Sequence, residues 1–173
     1  MKKVVMAFLV MLIIASCQEQ KKIAFVNRTE VINKYQEKID IEDKFKAREE
    51  RFNKKSDSIG KAFQLEYQQF QVSATKMSAQ KQQEEGQAFN QRGQILQQQL
   101  QFEQQQLQQA YTIEMDSVIM HMKHFVEDYG KKNGYDYIFG TSEATNNVMY
   151  GGEANDISND ILQGLNEAYK SKE

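Results

Sequence analysis

The one side chain whose type and position indicate covalent chemistry is the thiol of Cys17, the only cysteine in the chain. Two lysines open the sequence, an unbroken apolar run occupies residues 4–14, and the small residues Ala15 and Ser16 lead into the cysteine. That order is typical of a secretory signal peptide, and the run is shorter than the roughly 20 residues that a membrane-spanning helix needs. We expect residues 1–16 to be removed as a signal peptide.

The residues around Cys17 also predict its modification. Residues 14–17 (IASC) resemble a bacterial lipobox, in which a peptidase cleaves before a cysteine whose sulfur already carries a diacylglyceryl group. A single cysteine cannot form an internal disulfide, and an unpaired thiol is a liability in an exported protein. Each buried methylene of an acyl chain contributes about 0.8 kcal/mol, so two or three chains give a stable anchor. The sequence predicts a lipoprotein with a tether at residues 17–21; the alternative is an ordinary signal peptide that ends near a cysteine.

No other group of residues indicates catalysis or a cofactor. His121 and His124 are the only histidines, and a metal site needs three or four converging ligands. Glu84, Glu85 and Asp116 are conceivable acids, but the sequence places no partner carboxylate or base beside them. The sequence also lacks a glycine-rich phosphate loop, a nucleophile elbow and a cysteine–histidine pair. We therefore expect no enzymatic activity, no cofactor and no metal.

Composition indicates an elongated helical protein that does not bind nucleic acid. Proline is absent from all 173 residues, and because proline breaks helices, its absence permits very long ones. Removal of residues 1–16 takes away two lysines and no acidic residue, which leaves 20 of the 22 basic residues against 24 acidic ones, a formal charge of −4. Nucleic-acid-binding domains normally carry a basic patch. The mean hydropathy of −0.72 argues against a thick globular core.

The apolar residues between positions 40 and 132 form two stripes with spacings of mainly seven and four residues. The first stripe is Phe45, Phe52, Ile59, Phe63, Phe70 and Ala74, and the second is Phe89, Leu96, Leu100, Leu107, Tyr111, Val118, Met122 and Tyr129. An eleven-residue repeat keeps a stripe on one face of a nearly straight helix. We predict two amphipathic helices packed as an antiparallel hairpin. Glu84, Glu85 and Gly86 interrupt both stripes, so the reversal is expected near residues 82–87, with arms of about 45 residues each, or roughly 65 to 70 Å.

Short apolar runs at both ends of the chain predict a small body of strands and helices. Strand-like runs lie at residues 23–26, 135–140 and 147–150. A brief helix is expected at residues 31–35, and a closing helix carries Ile157, Ile161, Leu165 and Ala168 on one face, with Asp156 placed to cap it. The predicted fold class is α+β, mostly α. Its body comprises residues 22–39 and 133–173, and the hairpin arm comprises residues 40–132.

This order of elements resembles the Skp/OmpH family of periplasmic chaperones, over residues 22–170. The matching segments are KIAFVN at 22–27, GYDYIF at 134–139, VMY at 148–150 and DIS at 156–158. The resemblance implies a homotrimer in which strands of three subunits assemble a small barrel. The residues expected in those strands are Ile23, Phe25, Val26, Tyr137, Ile138, Phe139, Val148 and Tyr150.

The resemblance also implies a function. Family members hold unfolded outer-membrane β-barrel proteins between the hairpins in the periplasm, without ATP. Contacts with such proteins would come from the apolar arm faces, and adaptable methionines suit promiscuous binding. The candidate residues are Phe45, Phe52, Ile59, Phe63, Phe70, Met77, Phe89, Leu96, Leu100, Leu107, Tyr111, Val118 and Met122. The alternative for each of them is that it only forms the seam between the two arms.

Two features depart from the best-known members of this family. Those proteins are basic and freely soluble, whereas this chain is acidic and predicted to be lipidated, which puts lipopolysaccharide binding in doubt. Between Gln87 and Gln109, twelve of twenty-three positions are glutamine. A lipid-anchored coiled-coil spacer of the cell envelope, without chaperone activity, is therefore the main alternative. A surface-exposed adhesin is a third possibility, because Gln18 rather than aspartate follows Cys17 and does not indicate retention at the inner membrane.

Overall fold

The computed structural model describes residues 21–142 and 148–171, so the predicted signal peptide and Cys17 lie outside the described residues. The chain forms two compact units. We call Ile32–Met122 with Asn166–Glu173 the arm unit, and the residues up to Val31 with Lys123–Leu165 the strand unit. In chain order the elements are β1 (Ile23–Asn27), α1 (Arg28–Lys34), α2 (Gln36–Ala74), α3 (Ala79–Asn133), β2 (Tyr137–Thr141), a 3-10 turn (Glu153–Asn155) and α4 (Ser158–Lys170).

Helices α2 and α3 form the long antiparallel hairpin that the stripes predict, and the predicted fold class is confirmed. Helix α2 has 39 residues and α3 has 55, so the two helices are less equal than expected. Along residues 21–142 and 148–171, no helix is apolar enough over a sufficient length to cross a bilayer.

The first turn of α2 is capped by a residue distant in sequence. Tyr35 stands at the N-cap position and supplies no capping side chain. Instead the backbone N–H of Gln36 donates to Oδ1 of Asn166, at 2.9 Å. Tyr35 itself is buried and packs edge-to-face on Tyr169, with ring centroids 6.1 Å apart. The start of the hairpin is thereby fixed to the final turns of α4, because a helix start needs an acceptor for its unpaired N–H groups.

The reversal of the hairpin lies at residues 75–78, and the prediction of residues 82–87 was wrong. The hydroxyl of Thr75 donates to the carbonyl oxygen of Val72 at 2.8 Å, and the N–H of Met77 donates to the carbonyl oxygen of Ala74 at 3.0 Å. These two hydrogen bonds lie at the end of α2. Ser78 directly precedes α3, and its carbonyl accepts the N–H of Gln82 at 2.9 Å. Serine favours such helix starts because its hydroxyl can accept an unpaired N–H of the first turn.

Gly86, which suggested the turn, lies inside α3. A Cβ built on Gly86 would stand 3.8 Å from the ring of Phe70, and one on Gly93 would stand 3.0 Å from the ring of Phe63. Gly93 therefore makes room for a large ring of the opposite helix, whereas an alanine in place of Gly86 would meet Phe70 at ordinary van der Waals distance. Sequence alone does not separate this use of glycine from its use in a turn.

The C-terminus of α3 is a Schellman motif. Gly134 has a φ of +68°, the left-handed conformation that glycine adopts without strain. The N–H of Tyr135 donates to the carbonyl oxygen of Gly130 at 3.0 Å, and the N–H of Gly134 donates to the carbonyl oxygen of Lys131 at 3.5 Å. Because Tyr135 and Asp136 belong to this ending, β2 begins at Tyr137, two residues later than predicted.

In the strand unit, β1 and β2 form a two-stranded parallel sheet, in which Ile23 pairs with Tyr137 and Phe25 with Phe139. The opposite edge of β1 is occupied as well. The N–H of Ile157 donates to the carbonyl of Phe25 at 3.1 Å, and Asp156 forms an isolated parallel bridge with Phe25. The buried hydrophobic residues of this unit include Ala24, Val26, Val31, Ile157, Ile161 and Leu165.

The strand predicted at residues 147–150 is wrong for the single chain, where residues 148–150 have no strand structure. Both edges of β1 are already taken, by β2 and by the segment at Asp156, so β1 offers this chain no free edge for a third strand. Of the residues expected there, Val148 is half-buried and Tyr150 is 89 % exposed.

Ser158 connects β1 to the start of α4. Its side chain is buried, and its hydroxyl accepts the backbone N–H of Asn27 at 2.8 Å. The N–H of Ser158 donates to Oδ1 of Asp156 at 2.9 Å, as the predicted cap requires.

We predict that Ser158→Ala lowers the free energy of unfolding by about 1–3 kcal/mol, because the N–H of Asn27 is left without an acceptor. Urea unfolding followed by circular dichroism measures this. Ser73→Ala, at an exposed hydroxyl of the arm, is the control; an equal loss in both variants would contradict the prediction.

Candidate functional site

The arm residues that the sequence singled out lie along the contact between α2 and α3, here called the seam. Phe45, Val118 and Met122 are buried. The others are half-buried, and these are Phe52, Ile59, Phe63, Phe70, Met77, Phe89, Leu96, Leu100, Leu107 and Tyr111. Met77 belongs to the turn rather than to a helix face. The seam is thus fully closed only near its base, and most of its apolar side chains keep one edge in solvent.

Aromatic rings fill the distal half of the seam. Phe89 of α3 stacks on Phe63 of α2, with centroids 4.3 Å apart, and also contacts Tyr67 and Phe70 at 5.3 and 6.0 Å. Such ring pairs contribute about 0.5–1.5 kcal/mol beyond the area that they bury. Phe89 is therefore the centre of the packing that keeps the distal arm closed.

Ion pairs between the helices follow the same repeat as the apolar stripes. In order from the base of the arm, the series is the hydrogen-bonded contact Glu37–His121 at 3.0 Å, followed by the ion pairs Lys44–Glu114 at 2.7 Å, Lys55–Glu103 at 2.6 Å and Glu66–Arg92. From one pair to the next, the residue number rises by seven, eleven and eleven along α2 and falls by the same steps along α3. Each exposed pair contributes little stability, in the range of about 0–1 kcal/mol. A slip of either helix would break all of them together, so the pairs specify the register of the hairpin.

The base of the arm holds a small polar cluster that the sequence did not indicate. Glu37 lies between Nδ1 of His121 and the hydroxyl of Tyr35, and burial and the Glu37 carboxylate raise the pKa of Tyr35 well above its usual value. His121 thus has a structural partner, while His124 is exposed. Within the described residues, no three metal-binding side chains converge.

The seam leaves open grooves along its edges. One groove of about 530 Å³ is lined by both aliphatic and aromatic seam residues, among them Phe45, Phe52, Leu107 and Tyr111. Glu42, Lys46 and other polar residues form its rim. The half-buried seam residues are thus accessible to an external apolar side chain at this level of the arm.

A second apolar stripe runs along α3 on the face turned away from the seam. Its members are Ile95, Phe102, Ile113 and Met120, which are 53, 61, 58 and 56 % exposed. Their spacings of seven, eleven and seven residues keep them on one face by the same geometry as the seam. We call these four residues the outer stripe. Sequence reasoning missed it, although the signal was present as a second set of apolar residues with the same repeat, out of phase with the first.

The surroundings of the outer stripe are nearly uncharged. Between Gln87 and Gln109 the charged residues are Arg92 and Glu103. Each is paired across the seam, Arg92 with Glu66 and Glu103 with Lys55. The outer face of α3 therefore offers apolar side chains and glutamine amides.

In the strand unit, one face of the sheet remains open. Ile23, Tyr137 and Phe139 are 43, 51 and 47 % exposed, and the rings of Tyr137 and Phe139 lie 6.0 Å apart. Of the other strand residues singled out from the sequence, Val26 is buried, and Phe25 and Ile138 are half-buried. The sheet thus buries one face and presents the other to solvent.

We predict that seam and outer-stripe residues differ in their effect on stability. Phe89→Ala should lower the free energy of unfolding by about 2 kcal/mol, less than the 3–5 kcal/mol of a fully buried phenylalanine because its ring is half-exposed. Phe102→Ala, on the same helix, should change it by less than about 0.5 kcal/mol. Urea unfolding of both variants, followed by circular dichroism, measures the difference. Equal losses would show that the two stripes do not differ as described.

Comparisons with known proteins agree with this architecture. The model of the family described as outer membrane protein (OmpH-like) matches residues 22–165. Among solved structures, the chain is similar to a provisionally assigned outer membrane chaperone (OmpH-like) from Caulobacter crescentus. The TM-score is 0.74 and the sequence identity 10 %, over 86 % of each chain. No curated protein matches the sequence. Since the family match spans most of the chain, the protein belongs to the OmpH-like family of outer membrane proteins.

Proposed function

We propose that the mature protein is an ATP-independent holdase chaperone. It binds unfolded outer-membrane β-barrel proteins in the periplasm and prevents their aggregation before membrane insertion. Membership of the OmpH-like family supports this function, and so does the fold shared with the Caulobacter protein. The observation that carries it is the outer stripe, because large apolar side chains left in solvent along a helix mark a surface for binding other proteins.

The length of the outer stripe fits the proposed substrate. From Ile95 to Met120 an α-helix rises by about 37 Å, at 1.5 Å per residue. A transmembrane β-strand of 9–11 residues is about 30–37 Å long when extended. Such a strand presents apolar side chains on one face and unpaired backbone groups along its edges. One arm can therefore cover one unfolded strand from end to end.

The chemistry of the stripe fits a substrate of varied sequence. Four half-exposed apolar side chains offer contacts that require no particular partner residue, and methionine adapts to irregular surfaces. The neighbouring glutamines have both donors and acceptors, so they can bond the backbone groups of an unfolded strand. Grooves along the seam add further apolar surface at Phe52 and Tyr111. Many weak contacts of this kind allow release without ATP once the substrate folds elsewhere.

A lipid on Cys17 would place this activity at a membrane. We propose that residues 1–16 are removed, that the sulfur of Cys17 carries the lipid, and that the anchor lies in the outer membrane, facing the periplasm. The chaperone would then act next to the bilayer into which its substrates insert.

Substitution of the outer stripe tests the proposed function. We predict that changing Ile95, Phe102, Ile113 and Met120 together to glutamine weakens the suppression of aggregation at least about tenfold, because the apolar contact area is lost. The assay follows light scattering of an outer-membrane β-barrel protein diluted from urea. The matched control changes four exposed glutamines of the other helix, Gln64, Gln68, Gln69 and Gln71, to alanine and should remain active.

Two results would contradict the proposal. Failure of the unaltered protein to keep the substrate soluble at several-fold excess would favour a lipid-anchored coiled-coil spacer. Unchanged suppression by a folded stripe variant would show that binding lies elsewhere on the arm.

We further propose that the protein is a homotrimer, with residues 22–39 and 133–173 as its body and residues 40–132 as its arms. The open sheet face at Ile23, Tyr137 and Phe139 supports this, since an isolated two-stranded sheet is marginally stable. Along the described residues β2 pairs with β1 alone, so its other edge could accept residues 148–150 of a neighbouring subunit.

Sedimentation equilibrium tests the trimer. We predict a trimer at micromolar concentration, and a monomer with intact helices for the double variant Tyr137→Ser and Phe139→Ser, because apolar contact at the sheet face is removed. The matched control is the double variant Leu65→Ser and Val72→Ser, which removes exposed apolar residues from the arm instead. A stable monomer of the unaltered protein would contradict the proposal.

A further inference from the structure

Glutamines surround most of the outer stripe. Residues three or four positions apart are neighbours on the surface of a helix. At those distances Ile95 and Phe102 have glutamine on both sides, and Ile113 has glutamine on the side towards the turn. The glutamines concerned are exposed, and they are Gln91, Gln98, Gln105 and Gln109. We call this outer face of α3, over residues 91–113, the neutral strip; it is about 33 Å long.

The charged residues nearest to the neutral strip are either paired or lie beyond it. Arg92 and Glu103 are the charged residues between positions 91 and 113, and each pairs across the seam with a residue of α2. Glu114 does the same. The exposed carboxylate of Asp116 follows Ile113, so it lies past the end of the strip. Over residues 91–113, all of which the structure describes, a molecule lying along the outer face therefore meets no unpaired charge.

A face of this kind binds through contacts that salt does not screen. Attraction between exposed charges weakens as ionic strength rises, whereas the gain from burying apolar surface does not. The glutamine amides donate and accept hydrogen bonds, so they can pair with both the N–H and the C=O groups of an extended backbone. The neutral strip therefore distinguishes substrates by their apolar side chains and their accessible backbone.

An extended strand can satisfy these requirements whatever charge it carries. Successive side chains of a strand point to opposite faces, so when the apolar residues lie against the outer stripe, the polar ones point away from the arm. We infer that the outer stripe binds unfolded strands without regard to their net charge, so that acidic and basic segments are equally its substrates. This rests on the proposed function and adds the rule by which that function selects its substrates.

Binding of three labelled peptides to the mature protein tests the inference. Each peptide has about ten residues, in which the same apolar residues alternate with lysine, glutamate or serine. Fluorescence anisotropy should give affinities that agree within about threefold at about 0.15 M salt. Each affinity should change by less than about threefold between about 0.1 and 0.5 M salt. A peptide with serine in place of the apolar residues should bind at least about tenfold more weakly.

Adding charge to the neutral strip should create the selectivity that the strip lacks. The strip variant replaces with lysine the residues Gln91, Gln98, Gln105 and Gln109. Lysine and glutamine have similar helix propensities, so the arm should stay folded. This variant should bind the glutamate peptide at least about tenfold more tightly than the lysine peptide, and the preference should diminish as salt is added.

The matched control adds the same charge to exposed positions of α2. It replaces with lysine the residues Gln64, Gln68, Gln69 and Gln71. Its affinities for the three peptides should still agree within about threefold at about 0.15 M salt, because the added charges lie away from the neutral strip.

Two results would overturn the inference. One is a preference of about tenfold or more for either charged peptide by the unaltered protein. The other is equal behaviour of the two lysine variants. The aggregation assay separates these results from failure of the proposed function. A charge preference in a protein that suppresses aggregation contradicts the inference alone, whereas absence of both peptide binding and suppression contradicts the proposed function as well.

Discussion

The eleven-residue repeat of the seam is the constraint on which the rest of the arm depends. A repeat of about 3.67 residues per turn lets α2 and α3 lie side by side over many turns without coiling tightly around each other. The aromatic cluster around Phe89 supplies the packing, and the ion pairs from Glu37–His121 to Glu66–Arg92 advance in equal steps along both helices. The aromatic contacts and the ion pairs all share one register of α2 against α3. The position of the turn therefore follows from the seam and not from the residues that interrupt the apolar stripes.

The same repeat explains how the arm can expose apolar side chains and still fold. The seam uses one narrow face of each helix, so the face opposite it is free of any structural task. Ile95, Phe102, Ile113 and Met120 repeat there in phase with one another, and each is more than half exposed. Glutamine between them keeps the surface soluble without adding charge. The residues that stabilise the hairpin and the apolar residues left in solvent thus occupy different faces of one helix.

Local patterns in the sequence were sufficient to predict the hairpin, the stripes, the cap at Asp156 and the helix ending at Gly134, since each depends on neighbouring residues. Features that depend on distant residues could not be predicted. Gly86 indicated a turn because its place inside α3, opposite the ring of Phe70, is known only once the helices are paired. Residues 148–150 read as a strand because nothing in the sequence reveals that the segment at Asp156 occupies the edge of β1. The outer stripe was overlooked because one stripe per helix already accounted for a hairpin.

Charge is distributed along the chain in a way that its net value conceals. Where β1 meets the end of α3, Asp136 accepts the backbone N–H of Lys22, and Glu127 pairs with Lys131. There the negative end of the α3 dipole also meets Lys22, Lys131 and Lys132, which stabilise the helix end. The outer face of α3 is neutral between Gln87 and Gln109 apart from paired charges. The charged residues of this segment thus pair across the seam, which leaves the outer face to apolar side chains and glutamine amides.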